Sequence, residues 1–257
     1  MKTDTSLSFQ NLLTEALIPH FCTGNGGGFQ PSGFDPRSVR LSETDMADFI
    51  RAWNGQLVTH IGAGKYRAAR SGASEQFFWC GSKKASPRTF TLWIEPVITL
   101  GVLARLHFDF GWPREHIGTQ SAGDWAFDVI VTTNPDSMDE YIACEVKKSR
   151  KEIDVLAEYM KHFAWNPHEL HDEKNASKNA FKKVAALRKR RPPFLWLVGP
   201  DRYEQAFRVG YEDGGRITMA AMPLEALNYQ HFEMGRTYAS GDKAKLKGRK
   251  NDKVALV

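Results

Sequence analysis

The sequence has few cysteines and little excess of one charge sign. Its 257 residues include three cysteines, Cys22, Cys80 and Cys144. This sparse, odd set lacks metal-type spacing, so it argues against a disulfide scaffold and favours a reducing compartment. The 35 basic and 30 acidic residues leave a net charge of +5. A polyanion-binding surface must therefore come from where charge is placed rather than from its total.

The sequence also lacks a secretion-type start and a membrane-type apolar run. Its first residues show no basic segment followed by an apolar one, so we expect no secretion signal. The longest apolar stretch, residues 90–108, contains Glu95, Pro96 and Arg105, groups that a bilayer span tolerates poorly. We expect a soluble, cytoplasmic protein with no membrane partner.

A chain of this length is expected to form one domain with a modest extension. We interpret residues 1–89 as an irregular accessory region with short helices over 6–17 and 42–53. Residues 90–239 carry the main domain. The lysine-rich stretch 240–257 has few apolar anchors and is expected to be a disordered tail.

Hydrophobic periodicity predicts an α/β order of elements in the main domain. The predicted helices cover 91–106, 151–165 and 177–190, and the predicted strands cover 116–120, 125–132, 141–147, 194–199, 206–211 and 216–220. Residues 194–199 form a continuous apolar run, which is typical of a strand buried on both faces. This order predicts a mixed sheet flanked by helices.

Three ionisable residues lie on the hairpin predicted between 125 and 147. Glu145 and Lys147 share one strand face because side chains alternate, and Asp128 in the preceding strand can face Glu145. Such groups among apolar neighbours are costly unless they pair or bind an ion. Mg²⁺, held by carboxylates, water and phosphate oxygens, would relieve the repulsion. A surface hairpin with a solvated Glu–Lys pair is the alternative, and Asp124 competes with Asp128 for the metal.

The run from Phe127-Asp128 to Glu145-Val146-Lys147 resembles the PD-(D/E)xK nuclease superfamily, to which restriction endonucleases belong. The resemblance covers roughly residues 91–199 and implies a restriction-endonuclease-like αβββαβ core. That family usually adds an acid from the preceding helix, and Glu95 stands in the matching place. Glu95 can equally be an acid that stabilises the helix N-terminus. Phe127 stands where the family often has proline.

The resemblance implies metal-assisted hydrolysis of phosphodiester bonds. Asp128, Glu145 and the carbonyl of Val146 would hold Mg²⁺, for which Mn²⁺ can substitute, and Glu95 would act through water or a second ion. Lys147 would orient or deprotonate the attacking water and offset transition-state charge. Lys148, the next residue, is a candidate contact to the scissile phosphate, although a solvated lysine is the simpler interpretation.

The predicted helix 177–190 carries basic residues without intervening acids. We interpret it as a phosphate-contacting surface made of Lys178, Lys182, Lys183, Arg188, Lys189 and Arg190. A solvated helix whose C-terminal charges complement its dipole is the alternative.

These features favour a Mg²⁺-dependent nuclease that acts on double-stranded DNA, in restriction or antiviral defence by analogy with the family. The alternative is a catalytically inactive nuclease-fold module that binds nucleic acid or a partner protein, and an RNA-cleaving effector is a further possibility. Cleavage of both duplex strands needs two active sites, so we expect a homodimer or a larger assembly, to which an activating partner can be added.

Overall fold

A computed structural model describes residues 3–25, 28–81, 84–120 and 126–234. Over these residues the chain forms the α-helices α1 (Asp4–Leu12), α2 (Ile18–Asn25), α3 (Glu43–Asn54), α4 (Ile94–Ala104), α5 (Arg150–Trp165) and α6 (Asn175–Arg190). Residues 229–234 are helical as well. π-helical turns join α1 to α2 and follow α4.

The same ranges contain twelve strands in three sheets. They are β1 (Phe29–Phe34), β2 (Val58–Gly62), β3 (Lys65–Ala68), β4 (Glu75–Gln76), β5 (Phe78–Cys80), β6 (Arg88–Leu92), β7 (Ile117–Thr119), β8 (Val129–Thr132), β9 (Glu140–Val146), β10 (Phe194–Val198), β11 (Glu204–Tyr211) and β12 (Ile217–Ala221). The central sheet has the order β12-β11-β10-β9-β8-β7, and smaller sheets have the orders β1-β6-β5 and β2-β3-β4. Strands β9 and β10 are parallel, whereas the other central pairs are antiparallel.

Local chemistry explains where the helices beside the central sheet begin and end. The Ser149 hydroxyl accepts a hydrogen bond from the backbone N–H of Glu152 and caps α5. Helix α6 ends at Arg191, which adopts a left-handed conformation with φ of 56° before two prolines. Pro96 falls in the first turn of α4, where proline is tolerated. The predicted mixed α/β architecture is confirmed in these elements.

Two apolar clusters cover the two faces of the central sheet. One cluster packs Val129, Ile142 and Trp196 against α3, α4 and the N-terminal helices. The other packs α5 and α6 against Ala143 and Leu195. Because successive strand residues point to opposite faces, β9 contributes alternately to the two layers. Glu145 follows this alternation and lies on the α5/α6 side.

The helices predicted over 6–17 and 42–53 are present in the N-terminal region, but the rest of it is also regular, so our expectation of irregular structure is wrong there. It contains α1 to α3 and β1 to β5, and the boundary drawn at residue 89 falls inside β6. Phe9, Phe21 and Phe49 belong to the same apolar cluster as the central sheet. The described part of this region therefore shares one hydrophobic core with the main domain, because its aromatic side chains help to form that core.

Two further expectations concern the chain ends and membranes. The predicted disordered tail, residues 240–257, lies outside the described residues. In the described ranges no helix has both the length and the apolar character that a bilayer crossing requires.

Candidate active site

Strand register places Asp128 opposite Glu145. Val129 of β8 pairs with Cys144 of β9 in an antiparallel ladder, so the preceding residue on β8 faces the next one on β9. The backbone N–H of Val146 donates a hydrogen bond of 2.8 Å to Oδ2 of Asp128. The hairpin therefore brings the two acids to one sheet end.

Glu145 is almost fully buried, with 1% of its surface exposed, and two lysines hold it. Its Oε1 accepts a hydrogen bond of 2.5 Å from Nζ of Lys147. Its Oε2 accepts one from Nζ of Lys183, a residue of α6 that also donates to the carbonyl of Ala126 at 2.6 Å. One carboxylate is thus shared by a strand lysine and a helix lysine.

The pKa values of the two acids move in opposite directions. Burial alone would raise the pKa of Glu145, but the charges and hydrogen bonds of Lys183 and Lys147 outweigh it, and the pKa is lowered. For Asp128, desolvation and then the charge of Glu145 raise the pKa to about 8, against the opposing effect of the two lysines. A proton on the pair is therefore favoured on Asp128 rather than on Glu145.

The ammonium of Lys147 lies among oxygen atoms that the sequence analysis predicts to be metal ligands. Besides Glu145, it contacts the carbonyl of Val146 at 2.9 Å and lies 4.0 Å from Oε1 of Glu95. Burial lowers the pKa of Lys147, but the charges of Glu145 and Asp128 dominate and raise it. A cation is therefore favoured at this position, and in the structure it is the ammonium.

A cleft of about 690 Å³ opens beside Lys147. Glu95, at the start of α4, lines it together with Lys147. The other lining residues come from the two positions before α5 and from the first two turns of α5 and α6. They are Lys148, Ser149, Lys151, Glu152, Val155, Leu156, Asn175, Ala176 and Asn179. The buried charges thus meet a space large enough for several atoms of a ligand.

Lys148 projects from this cleft wall and is exposed. Its Nζ lies 3.8 Å from Oε1 of Glu152, one helical turn further along. An exposed pair of this kind contributes little to stability, about 0.3–0.5 kcal/mol. Lys148 is therefore available to a ligand in the cleft at small cost.

The basic helix divides into outward and inward side chains. Lys178, Lys182 and Lys189 are exposed and lie within about 40° of one another around α6. Lys183 is buried on Glu145, so its assignment to the phosphate-contacting surface is corrected. It follows the apolar position Ala180 by three residues and precedes Leu187 by four, which was the sequence signal for an inward position.

Arg188 and Arg190 are half-buried and make internal contacts. Arg188 donates to the carbonyls of Phe163 at 2.5 Å and Gly215 at 2.7 Å. Arg190 pairs with Glu140 at 2.9 Å. These contacts correct the expectation that both arginines face a nucleic acid, because their guanidinium groups already have structural partners.

Two observations bear on the metal. Asp124, the competitor of Asp128, lies outside the described residues. Across residues 3–25, 28–81, 84–120 and 126–234, no three side chains of His, Cys, Asp or Glu come together as metal ligands. The donor chemistry nevertheless suits Mg²⁺, because two adjacent carboxyls and a carbonyl offer only oxygen. A dication would also offset the burial and the charge of Glu145, which together raise the pKa of Asp128.

Comparisons with known proteins give no relative. No protein-family model, curated protein or solved structure matches the chain. The geometry of this site is therefore the basis for inferring what the protein does.

Proposed function

We propose that the protein is a Mg²⁺-dependent nuclease that hydrolyses phosphodiester bonds of DNA. The observation that carries the proposal is the convergence of Asp128 and Glu145 on one sheet end, where Glu145 pairs with Lys147 and Lys147 lines a cleft with two further lysines. The order α4, three antiparallel strands, two helices and a parallel strand supports it, since the resemblance to PD-(D/E)xK nucleases implies such a core.

Asp128, Glu145 and the carbonyl of Val146 would hold the ion, with Glu95 reaching it through water. When bound, Mg²⁺ supplies Lewis-acid polarisation of a phosphate oxygen and lowers the pKa of water. Lys183 fixes the rotamer of Glu145 from α6, because its ammonium contacts Oε2 and leaves Oε1 to Lys147. Mn²⁺ is expected to substitute, since it accepts the same oxygen ligands.

Lys147 is the residue that would contact substrate. Its side chain is 18% exposed and borders the cleft, so its ammonium can exchange Glu145 and Val146 for a phosphate oxygen or the attacking water. A positive group beside the developing charge of a phosphoryl transition state accelerates hydrolysis. Lys148 and Lys151 would neutralise neighbouring phosphates at the cleft wall.

The test is plasmid digestion by the purified chain with MgCl₂ and with EDTA. Glu145→Gln and Lys147→Met should each lower the rate by at least about a hundredfold, as is usual when a transition-state contact is removed. Glu152→Gln is the matched control, because Glu152 lines the same cleft but pairs with exposed Lys148. Cleavage that survives in both site variants would remove the proposal.

A second function is favoured by a specific contact pattern. Both oxygens of Glu145 are engaged by lysines, which is also the arrangement of a purely structural charge cluster. We propose as the alternative a catalytically inactive module that binds nucleic acid. It predicts steeply salt-dependent binding with no turnover in Mg²⁺ or Mn²⁺.

Duplex cleavage adds a requirement for assembly. One site cuts one strand, so a homodimer or a larger assembly is proposed for the active form. Native mass measurement with and without a duplex oligonucleotide tests it. A strict monomer that cuts both strands at one position would contradict it.

A further inference from the structure

Two tryptophans lie exposed on one face of the small sheet β1-β6-β5. Trp79 of β5 pairs with Thr91 of β6, and the backbone N–H of Trp93 donates to the carbonyl of Phe77 at 2.8 Å. The diagonal neighbours Trp79 and Trp93 therefore share a face. The opposite face carries buried Phe78 and Phe90, so the two indoles lie on the outer side.

These indoles contact each other and leave much of their area open. Their ring centroids are 5.8 Å apart with an interplanar angle of 81°, an edge-to-face arrangement. Trp79 is 65% exposed and Trp93 is 38% exposed. Exposing two adjacent indoles forgoes a large hydrophobic gain, and such patches commonly mark binding sites.

The indole pair borders the candidate active site. Trp93 is the N-cap residue of α4, and Glu95, two residues further, lines the cleft. Two residues span at most about 7 Å, so the backbone of Trp93 lies within that distance of Glu95 in the cleft wall. A ligand whose phosphate lies against Lys147 and Lys148 can extend from there toward the indoles.

We propose that Trp79 and Trp93 form a stacking platform for an unpaired nucleobase of the substrate, a proposal that rests on the nucleic-acid binding of the proposed function. The lysine-lined cleft next to the platform takes the sugar-phosphate backbone, and the flat apolar indoles take the base. Stacking on an aromatic side chain contributes about 1–3 kcal/mol per base. Bases inside a duplex are already stacked, so the platform selects single-stranded, frayed or extruded nucleotides.

The chain provides a matched control for an exposed tryptophan. Trp165 is 53% exposed, but the guanidinium of Arg216 lies 4.2 Å from its ring centroid. Trp165 ends α5, and Lys151 and Glu152 of the first turn line the cleft, so Trp165 stands roughly 20 Å along the helix from that turn. A general effect of losing a surface indole would appear at Trp165 as well.

The experiment measures fluorescence anisotropy of labelled oligonucleotides in EDTA, where cleavage does not interfere. The probes are a single strand, a backbone-matched abasic strand and a blunt duplex. Trp79→Ala should weaken single-strand binding about 5- to 150-fold, the fold-change equivalent to one stacked base. It should change abasic and duplex binding less than twofold. Trp79→Tyr should retain most of the affinity, and Trp165→Ala should match wild type.

The platform would be overturned if Trp79→Ala lost as much affinity for the abasic strand as for the normal strand. It would also be overturned if Trp79→Ala and Trp165→Ala weakened single-strand binding equally. A Trp79→Ala variant that changes only self-association would overturn it too, since the patch would then be a protein contact. Base-dependent binding without cleavage would contradict the nuclease and keep the platform. Cleavage unaffected by Trp79→Ala, on a strand that binds equally well, would keep the nuclease and contradict the platform.

Discussion

Two of the buried charge clusters in the described residues differ in their balance of charge. Arg105 and Glu204 form a two-pronged pair at 2.6 and 3.1 Å, and Glu204 also accepts from Nε1 of Trp196 at 3.1 Å. This pair holds one charge of each sign. In the candidate site, by contrast, Glu145 is shared by two lysines and faces a second acid.

The environments of the two clusters differ as well. The guanidinium of Arg105 lies over Trp196 at 4.9 Å and near Phe110, so rings enclose it. The Glu145 cluster opens on a cleft of about 690 Å³, and its acid Asp128 has a pKa raised to about 8. A balanced pair under aromatic rings is a structural tie. An unbalanced cluster with a shifted acid at a cleft has the signature of a functional site.

The sharpest way to break this comparison is to neutralise the acid of each cluster. Glu145→Gln should lower the proposed Mg²⁺-dependent cleavage by at least about a hundredfold, because it removes a proposed metal ligand and the partner of Lys147. Glu204→Gln should leave the cleavage rate per folded molecule within about twofold of the wild-type rate. The measurement is the initial rate of DNA cleavage at equal concentrations of folded protein. Equal losses in the two variants would show that both clusters are structural.

Stability should respond in the opposite order. Glu204→Gln should lower the free energy of unfolding by about 3–5 kcal/mol, because Arg105 is left as a buried charge without its partner. Glu145→Gln should cost less, since Asp128 can ionise and replace the lost charge beside the two lysines. Urea unfolding at neutral pH measures both. A larger loss for Glu145→Gln would contradict the assignment of Arg105 and Glu204 as the structural tie.

The Asp128 pKa predicts a pH effect on stability. The unfolded chain ionises Asp128 near 3.8 and the folded chain near 8, so between these values the unfolded state binds fewer protons. The free energy of unfolding should therefore fall as pH rises from about 4 to about 8. Asp128→Asn should remove a few kcal/mol of this fall, while the part due to Glu75 and Glu140, whose pKa values burial raises to about 7, remains.

Thermal melts from pH 5 to pH 9 with and without MgCl₂ test this effect. In the wild type Mg²⁺ should stabilise more at pH 8 than at pH 6, because the proposed ligand is the ionised carboxylate of Asp128. Asp128→Asn should lose this pH-dependent gain. If the melting temperatures of wild type and Asp128→Asn change identically with pH in the absence of metal, the raised pKa of Asp128 is contradicted.

The smallest expected effects distinguish the buried Lys183 from its exposed neighbour Lys182. Lys183→Met should destabilise the fold by about 1–3 kcal/mol, because Glu145 and the carbonyl of Ala126 lose a buried donor. Lys182→Met should change stability by less than about 0.5 kcal/mol. It should instead reduce the slope of log K against log salt for DNA by about 1. The reverse pattern would show that α6 is rotated relative to the structure.

Sequence patterns predicted much of the main domain because its signals are local. The apolar run before Pro200 gave a buried central strand, and the breakers Glu212 to Gly215 gave the turn of the outer hairpin. The alternation of Glu145 and Lys147 placed both on one face. By contrast, the aromatic residues of the first ninety positions pack against distant strands, so the short-range pattern predicted two helices there but not their packing into the core of the central sheet.

The sequence by itself determined the mixed α/β order of elements and the hairpin that carries Asp128, Glu145 and Lys147, because periodicity and turn chemistry act over a few residues. The tertiary structure decided which lysines point inward. Lys183 and Lys182 are neighbours in the sequence, yet only Lys183 meets a buried carboxylate. The packing of α6 against β9 settles this difference, because a buried ammonium is stable only where that packing supplies an acid.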